Sequence, residues 1–155
     1  MSTQIRFAHA LFELLEETFE HVHGIYMDQG TTLFETLDTI SAEEASRPVA
    51  ECCTSIAAQT EHIRLYLSMI AETYVTGTPP QIDWAEMWRT TGEVTSEQWT
   101  DRKAQLCSSY QQVKAILKNI DTWEGENEIG DALALLAHSA FHLGQIRQSL
   151  CTVRQ

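Results

Sequence analysis

The chain has 155 residues, of which 43% are hydrophobic, seven are glycine and three are proline. This size and composition predict one compact domain over residues 1–155, able to bury a core without metal or disulfide, and exclude a disordered, collagen-like or solenoid chain. Ten Lys and Arg against 22 Asp and Glu give a formal charge of -12, which repels phosphate backbones and anionic lipid surfaces, so we expect neither nucleic acid nor membrane as a partner.

The first half of the chain predicts one long helix and then shorter pieces. Apolar residues between Ile5 and Val22 recur every three to four positions, and Gly24 is the predicted end of this helix. The opposite side of the helix carries Glu13, Glu16, Glu17 and Glu20. A shorter helical piece is predicted over residues 33–40. The segment Ser41-Ala-Glu-Glu44 is then a capping-box pattern, and Pro48 stops the helix that it starts.

The second half predicts three long helices. Thr54 or Ser55 caps the first of them, which ends at the turn over residues 76–80. A polar connection follows, and Thr95-x-x-Gln98 opens the next helix. The last helix, rich in Ala and Leu, is predicted over residues 129–153. Because no segment shows the alternation of a strand, the pattern predicts an all-α chain, and its four long helices predict a four-helix bundle.

The N-terminal residues and the cysteines indicate the compartment. Residues 1–6 lead straight into the first amphipathic helix without the apolar core of a secretory signal, so we expect a cytoplasmic protein. Cys52 and Cys53 are adjacent, Cys107 and Cys151 are isolated, and no Cys-x-x-Cys pair is present. We therefore expect the four cysteines to be small, buried apolar side chains and not zinc or redox ligands.

Two of the six histidines, His138 and His142, stand four residues apart inside the last predicted helix. At 100° per residue they project from one face, the geometry with which a helix offers two imidazoles to one metal ion. They share that side of the helix with Asp131, Gln145 and Ser149. A hydrogen-bonded network in the core would satisfy these polar groups as well as a metal would.

A third ligand has to come from another helix, and His62 is the best candidate because it lies within the second long helix on a wide apolar face. His9, His21 and His23 lie on the first helix or at its fraying end, where a solvated imidazole is common. The chain lacks the paired Glu-x-x-His motifs of a di-iron bundle and also lacks His-Glu-x-x-His. Three neutral imidazoles without a carboxylate suit Zn(II) or Ni(II) best.

The last helix also carries a family resemblance. It reads AHSAFHLGQIRQ from Ala137 to Gln148, which resembles the His-x-x-x-His-x-Gly-Gln-Ile signature of the DinB-like superfamily of bacterial metal-binding four-helix bundles. Glu61-His62-Ile63 resembles the first ligand position of that family. The order and lengths of the four predicted helices fit the family over nearly the whole chain.

The resemblance implies a three-histidine site of His62, His138 and His142 that binds a divalent metal, commonly nickel or zinc. It also implies a homodimer and a metal-dependent reaction on a small-molecule substrate, either the transfer of a low-molecular-weight thiol or a related thiol-dependent reaction, since the characterised relatives include S-transferases and an isomerase that uses such a thiol. Gln145, next to the second histidine, either orients a ligand or packs between helices. The residues do not name catalytic groups beyond the metal ligands.

The alternative interpretation is a non-catalytic protein that binds metal or acts as a dimeric interaction module. Its interaction surface would include the tryptophans Trp84, Trp88 and Trp99, because exposed tryptophan is enriched at interfaces. Burial in the core is the plainer explanation of the same three residues. A metal site with an exchangeable position favours the enzyme, and a closed site favours the structural role.

Overall fold

The computed structural model describes residues 3–125 and 127–155. Over these residues the chain is all-α, as predicted, with seven helices and no strand. The helices are α1 (Thr3–Phe19), α2 (Leu33–Asp38), α3 (Ala42–Ser46), α4 (Ile56–Thr76), α5 (Trp84–Thr90), α6 (Ser96–Lys118) and α7 (Glu128–Val153). The four predicted long helices correspond to α1, α4, α6 and α7. None of the helices that are described is both long and apolar enough to cross a bilayer.

Contacts along the chain divide it into two compact units. The first unit comprises residues 1–39 and 120–144, and the second comprises residues 40–119 and 145–155. Helices α1 and α2 and most of α7 therefore belong to the first unit. Helices α3 to α6 and the last residues of α7 belong to the second.

Local capping signals set the starts of several helices. The capping boxes predicted at Ser41 and Thr95 are both formed. In each, the side chain of the cap residue accepts the backbone N–H of the third helical residue, and the side chain of that third residue accepts the backbone N–H of the cap residue. Ser55, one of the two candidates for the cap of α4, accepts the N–H of Ala58 at 3.2 Å. Gly77 ends α4 at φ +73°, a conformation that glycine adopts without strain.

Helix α1 ends at Phe19, earlier than the predicted Gly24, because the chain turns back over the helix end. Glu17, which we assigned to the solvated side of the helix, is fully buried. Its Oε1 atom accepts the backbone N–H groups of residues 24 to 27 at 2.9 to 3.3 Å. Burial raises the pKa of this carboxyl, but the backbone hydrogen bonds from residues 24 to 27 outweigh burial and bring the pKa below its ordinary value.

Each unit has its own apolar core. In the first, Leu11 and Leu15 of α1 are buried, as are Leu33 and Leu37 of α2. In the second, α4 packs along α6, and the Oγ atoms of Ser68 and Ser109 lie 3.0 Å apart across that contact.

Trp99, a candidate for an interaction surface, belongs to the core of the second unit. Its side chain is 3% exposed, and its Nε1–H donates to the carbonyl oxygen of Ile40 at 2.7 Å. A buried tryptophan whose indole N–H has a partner is a packing residue. The interface hypothesis is therefore wrong for Trp99.

Glu44 makes the clearest ion pair in the second unit. Its Oε1 accepts from Nε of Arg154 at 2.7 Å, and its Oε2 accepts the N–H of Ser41 at 2.9 Å within the capping box. The hydrogen bond from Arg154, together with that from the backbone of Ser41, lowers the pKa of the Glu44 carboxyl to about 2. The ion pair therefore links α3 to the C-terminal end of α7.

This pKa predicts how stability depends on pH. A carboxyl whose folded pKa is depressed contributes its stabilisation in full above the ordinary value of 4.5 and loses it as the pH falls toward about 2. We expect Glu44→Gln to lower the melting temperature at pH 7, and the difference from wild type to shrink as the pH falls through this window. Thermal melts of both proteins between pH 7 and pH 2.5 measure this difference in melting temperature, and Glu43→Gln, at an exposed position, is the control. A difference independent of pH would contradict the assignment.

Candidate metal centre

His138 and His142 lie one turn apart on α7, and their side chains meet. The two ring centroids are 4.6 Å apart at an interplanar angle of 64°. His142 is buried, with 8% of its surface exposed, and His138 is half-buried. The predicted pairing of these two imidazoles on one face of the helix is therefore present in the first unit.

Apolar residues of α7 lie on either side of the two histidines. Leu135 and Leu143 are buried, and the ring of Phe141 contacts His142 edge-on with centroids 5.2 Å apart. Phe141 itself is 60% exposed. Gln145 is also exposed, which does not fit a role in packing between helices.

His62 lies on α4, in the second unit, where two tryptophans cover it. The Trp88 ring stacks on the imidazole with centroids 4.7 Å apart at 30°, and the Trp84 ring contacts it edge-on at 4.9 Å. All three side chains are half-buried. Trp84 and Trp88 therefore form an aromatic wall for His62.

The aromatic wall exists because residues 84–90 form a helix where we predicted a polar connection. Asp83 caps α5 by accepting the N–H of Glu86 at 2.9 Å, and one turn of helix then brings Trp84 and Trp88 to the same side. The segment is too short to show a hydrophobic period. The signal that could have revealed α5 is the Asp83-x-x-Glu86 pattern at its start.

Glu61, the neighbour of His62 in sequence, is engaged by two arginines. Its Oε1 accepts from Nη2 of Arg64 at 2.6 Å, and Nε of Arg102 lies 3.5 Å from its Oε2. Arg102 also donates to the carbonyl oxygens of Ala57 and Thr91 at 3.0 and 2.8 Å. Burial lowers the pKa of Arg102, and the Glu61 charge acts in the opposite direction. The network ties the first turns of α4 to the end of α5, so the backbone that carries His62 is fixed.

The four cysteines are all exposed, so the prediction that they are buried is wrong. Burial frequency describes the residue type, whereas these positions are set by the local structure: Cys52 and Cys53 lie in the turn before α4, and Cys107 and Cys151 lie on outward sides of α6 and α7. The hydrogen bond between Cys52 and Cys53 raises the pKa of Cys53. A raised pKa disfavours the thiolate, the reactive form of cysteine.

Two imidazoles on successive turns of one helix provide half of a tetrahedral coordination sphere for a borderline-soft divalent ion. On His62, the aromatic wall restricts the access of water to the ring.

Comparisons of the chain with models of protein families, with curated proteins and with solved structures found no match.

Proposed function

We propose that the protein binds a divalent metal ion, nickel or zinc, through His62, His138 and His142, and that it transfers a low-molecular-weight thiol to a small-molecule electrophile. The observation that carries the proposal is the meeting of the His138 and His142 rings on one face of α7. Chelation by two imidazoles four residues apart is a common way for a helix to hold a metal.

His62 is proposed as the third ligand. In this proposal each of the three histidines would offer one ring nitrogen to the ion, and three neutral imidazoles without a carboxylate are a donor set that suits Zn(II) and Ni(II). Glu61 does not compete with His62 for the ion because Arg64 and Arg102 engage its carboxylate. The donor set therefore fits the proposed metal.

The DinB-like resemblance of residues 137–148 supports the same set of ligands, and with it the four-helix bundle, the homodimer and a thiol-dependent reaction as parts of this proposal. A cytoplasmic location is part of it too, because reducing compartments keep small thiols in the reduced form.

Three protein ligands leave a coordination position for a small thiol. A divalent ion held by the three histidines would act as a Lewis acid and would lower the pKa of a thiol bound to it. The thiolate sulfur would form the new bond to an electrophilic carbon of the substrate, whose leaving group departs with the electron pair, while the thiol proton passes to solvent. In this proposal the histidines hold the ion and thereby orient the thiol. Trp84 and Trp88 keep water away from the His62 side of the ion.

A cavity beside the aromatic wall provides space for a small molecule. It has a volume of about 260 Å³, and Trp88, whose ring stacks on His62, is one of its walls. The other lining residues include Cys52, Cys53, Ser55, Ala58 and Gly92. Its volume lies below the roughly 300 Å³ at which pockets for small ligands usually begin, and none of the three histidines is among the described residues that line it.

The test is metal analysis of untagged protein followed by assays with panels of thiols and electrophiles. A tag is avoided because oligohistidine binds nickel. We expect stoichiometric nickel or zinc and thiol transfer that stops on chelation and returns with metal. Protein that holds the metal but neither binds a thiol nor turns over any thiol and electrophile pair would contradict the transferase proposal.

Removing the metal should lower stability without unfolding the protein. A chain of this length buries enough surface to fold without an ion, unlike a zinc finger. Metal at about 100 times its dissociation constant adds about 2.7 kcal/mol to the free energy of unfolding, which for this size corresponds to a rise in melting temperature of about 5 to 11 °C. Circular dichroism melts with and without a chelator measure the shift. Loss of helix at room temperature on chelation would show instead that the metal is structural.

The second candidate function, a dimeric interaction module, is favoured by an apolar strip on α7. Ile129, Leu133 and Phe141 are 40%, 48% and 60% exposed, and their spacing places them on one side of the helix. Exposed apolar residues that cluster mark interaction surfaces. Sedimentation of the wild-type protein and of the Phe141→Glu variant tests this candidate. It requires that the wild-type protein is a dimer and that the substitution dissociates the dimer.

A further inference from the structure

A second group of metal-ligating side chains lies in the first unit, just beyond the end of α1. Nε2 of His23 is 3.3 Å from Oε2 of Glu16, and Nε2 of His21 is 3.9 Å from the same oxygen. The two imidazole rings face each other edge-on with centroids 4.6 Å apart. One ligand atom from each of the three residues lies within 4.8 Å of the other two.

We propose that Glu16, His21 and His23 form a second binding site for a borderline divalent cation, of which Zn(II) is the representative. This site is independent of the three-histidine centre and uses none of its residues. A carboxylate oxygen and two imidazole nitrogens are all ordinary zinc ligands. Their combination in one group distinguishes it from a simple surface ion pair.

The backbone holds the three residues in place. The N–H of His21 donates to the carbonyl oxygen of Glu16 at 3.0 Å, which fixes the second residue after the helix against the residue that supplies the carboxylate. The following residues are anchored by the Glu17 carboxylate, which accepts the N–H of Gly24 at 2.9 Å and those of the next three residues. Gly24 adopts φ +83°, where a side chain would be strained. His21 and His23 therefore lie between two anchored points and not on a fraying end.

The distances are close to those that a metal requires. Ligand atoms around a tetrahedral zinc ion with bonds of 2.0 to 2.1 Å lie about 3.4 Å apart. The Glu16 to His23 distance of 3.3 Å already matches this value. The His21 side chain is 58% exposed, so a rotation about its side-chain bonds can close the remaining gap without disturbing the core.

Exposure and charge indicate the properties of the site. The side chains of His23 and Glu16 are 30% and 25% exposed, so the remaining coordination positions are filled by water and the ion exchanges with solvent. A formal charge of -12 on the chain favours the approach of a cation. We therefore assign an accessible, exchangeable site and not a closed structural one.

The His9 and Glu13 pair on α1 is the matched control. Nδ1 of His9 lies 3.0 Å from Oε2 of Glu13, and both side chains are exposed. It has one histidine and one carboxylate at close range, as the proposed site has, but among the described residues it is not part of a group of three ligands. Any zinc binding that depends only on a surface histidine beside a glutamate should appear equally at this pair.

The test is calorimetric titration of untagged protein with zinc in a His138→Ala/His142→Ala background, which removes the proposed centre on α7. We expect one remaining ion. Adding His23→Ala or the conservative Glu16→Gln should weaken its binding by at least about tenfold, whereas adding His9→Ala should leave it unchanged. Imidazole resonances of His21 and His23 in wild-type protein should shift together as zinc is added, which checks the site without any substitution.

Two outcomes would overturn the proposal. One is equal zinc affinity in the background protein with and without His23→Ala, both proteins being helical by circular dichroism. The other is a wild-type titration in which the His21 and His23 resonances do not move while zinc binds elsewhere. Failure of the three-histidine centre, by contrast, would leave the ion in the double-variant background unaffected.

Discussion

His142→Ala should weaken divalent-metal binding at the proposed three-histidine centre by at least about 100-fold. Loss of an outer partner of a metal ligand already costs 10 to 100-fold in affinity, and here an anchoring imidazole is removed. The effect should be large because His142 is buried and its ring lies against that of His138. With one ring absent, the chelate on α7 is reduced to a single nitrogen.

The measurement is a competitive titration with zinc and a chromophoric chelator, run in a His23→Ala background so that the proposed site after α1 does not contribute. His62→Ala and His138→Ala should weaken binding to a similar degree, and His9→Ala should not. The melting curve of each variant, recorded without metal, separates loss of a ligand from loss of the fold. Equal metal retention in the His142→Ala variant and its parent would refute the assignment.

Two features that depend only on neighbouring residues in sequence were predicted correctly. The capping boxes at Ser41 and Thr95 formed because cap and partner are three residues apart. The His138 and His142 pair formed because residues four apart on a helix always lie on the same side. Neither feature requires knowledge of the remainder of the chain.

Features that depend on distant parts of the chain were not predicted. The aromatic wall on His62 requires α5, a seven-residue helix with no hydrophobic period, to fold against α4. Trp99 lies in the core, where its indole N–H finds a partner in the carbonyl of Ile40, a residue 59 positions away in sequence. The cysteines were assigned from residue type, which does not specify which side of a helix each occupies.

Glu17 is the most consequential of these differences. Helical periodicity placed it beside Glu13, Glu16 and Glu20 on a polar side, yet it is fully buried. A buried charge is tolerated only where hydrogen bonds replace water. Residues 24 to 27 supply them from the backbone, and no side-chain pattern in the sequence records where those N–H groups point.

Glu17→Ala should therefore be strongly destabilising. The substitution removes an acceptor that four backbone N–H groups share. A hydrogen bond to a charged group contributes about 1.5 to 3 kcal/mol to the free energy of unfolding. Water can replace several of them because residues 24 to 26 are exposed. We expect a loss of about 2 to 4 kcal/mol in the free energy of unfolding, which corresponds to a fall in melting temperature of about 4 to 16 °C. Urea and thermal unfolding of metal-free protein measure it.

Matched variants on the same helix give the control. Glu13→Ala removes an exposed carboxylate that pairs with His9 at the surface, and its effect should stay within about 0.5 kcal/mol. Glu17→Gln keeps one acceptor oxygen but loses the charge and points an NH₂ group at backbone donors, so its melting temperature should lie between those of wild type and Glu17→Ala. Amide exchange at residues 24 to 27 should accelerate in Glu17→Ala before the rest of α1 is affected, because their shared acceptor is gone. The melting temperatures of Glu17→Ala and Glu13→Ala could instead be equal, with the amides of residues 24 to 27 still protected from exchange in Glu17→Ala. That result would show that the Glu17 carboxylate does not hold this segment.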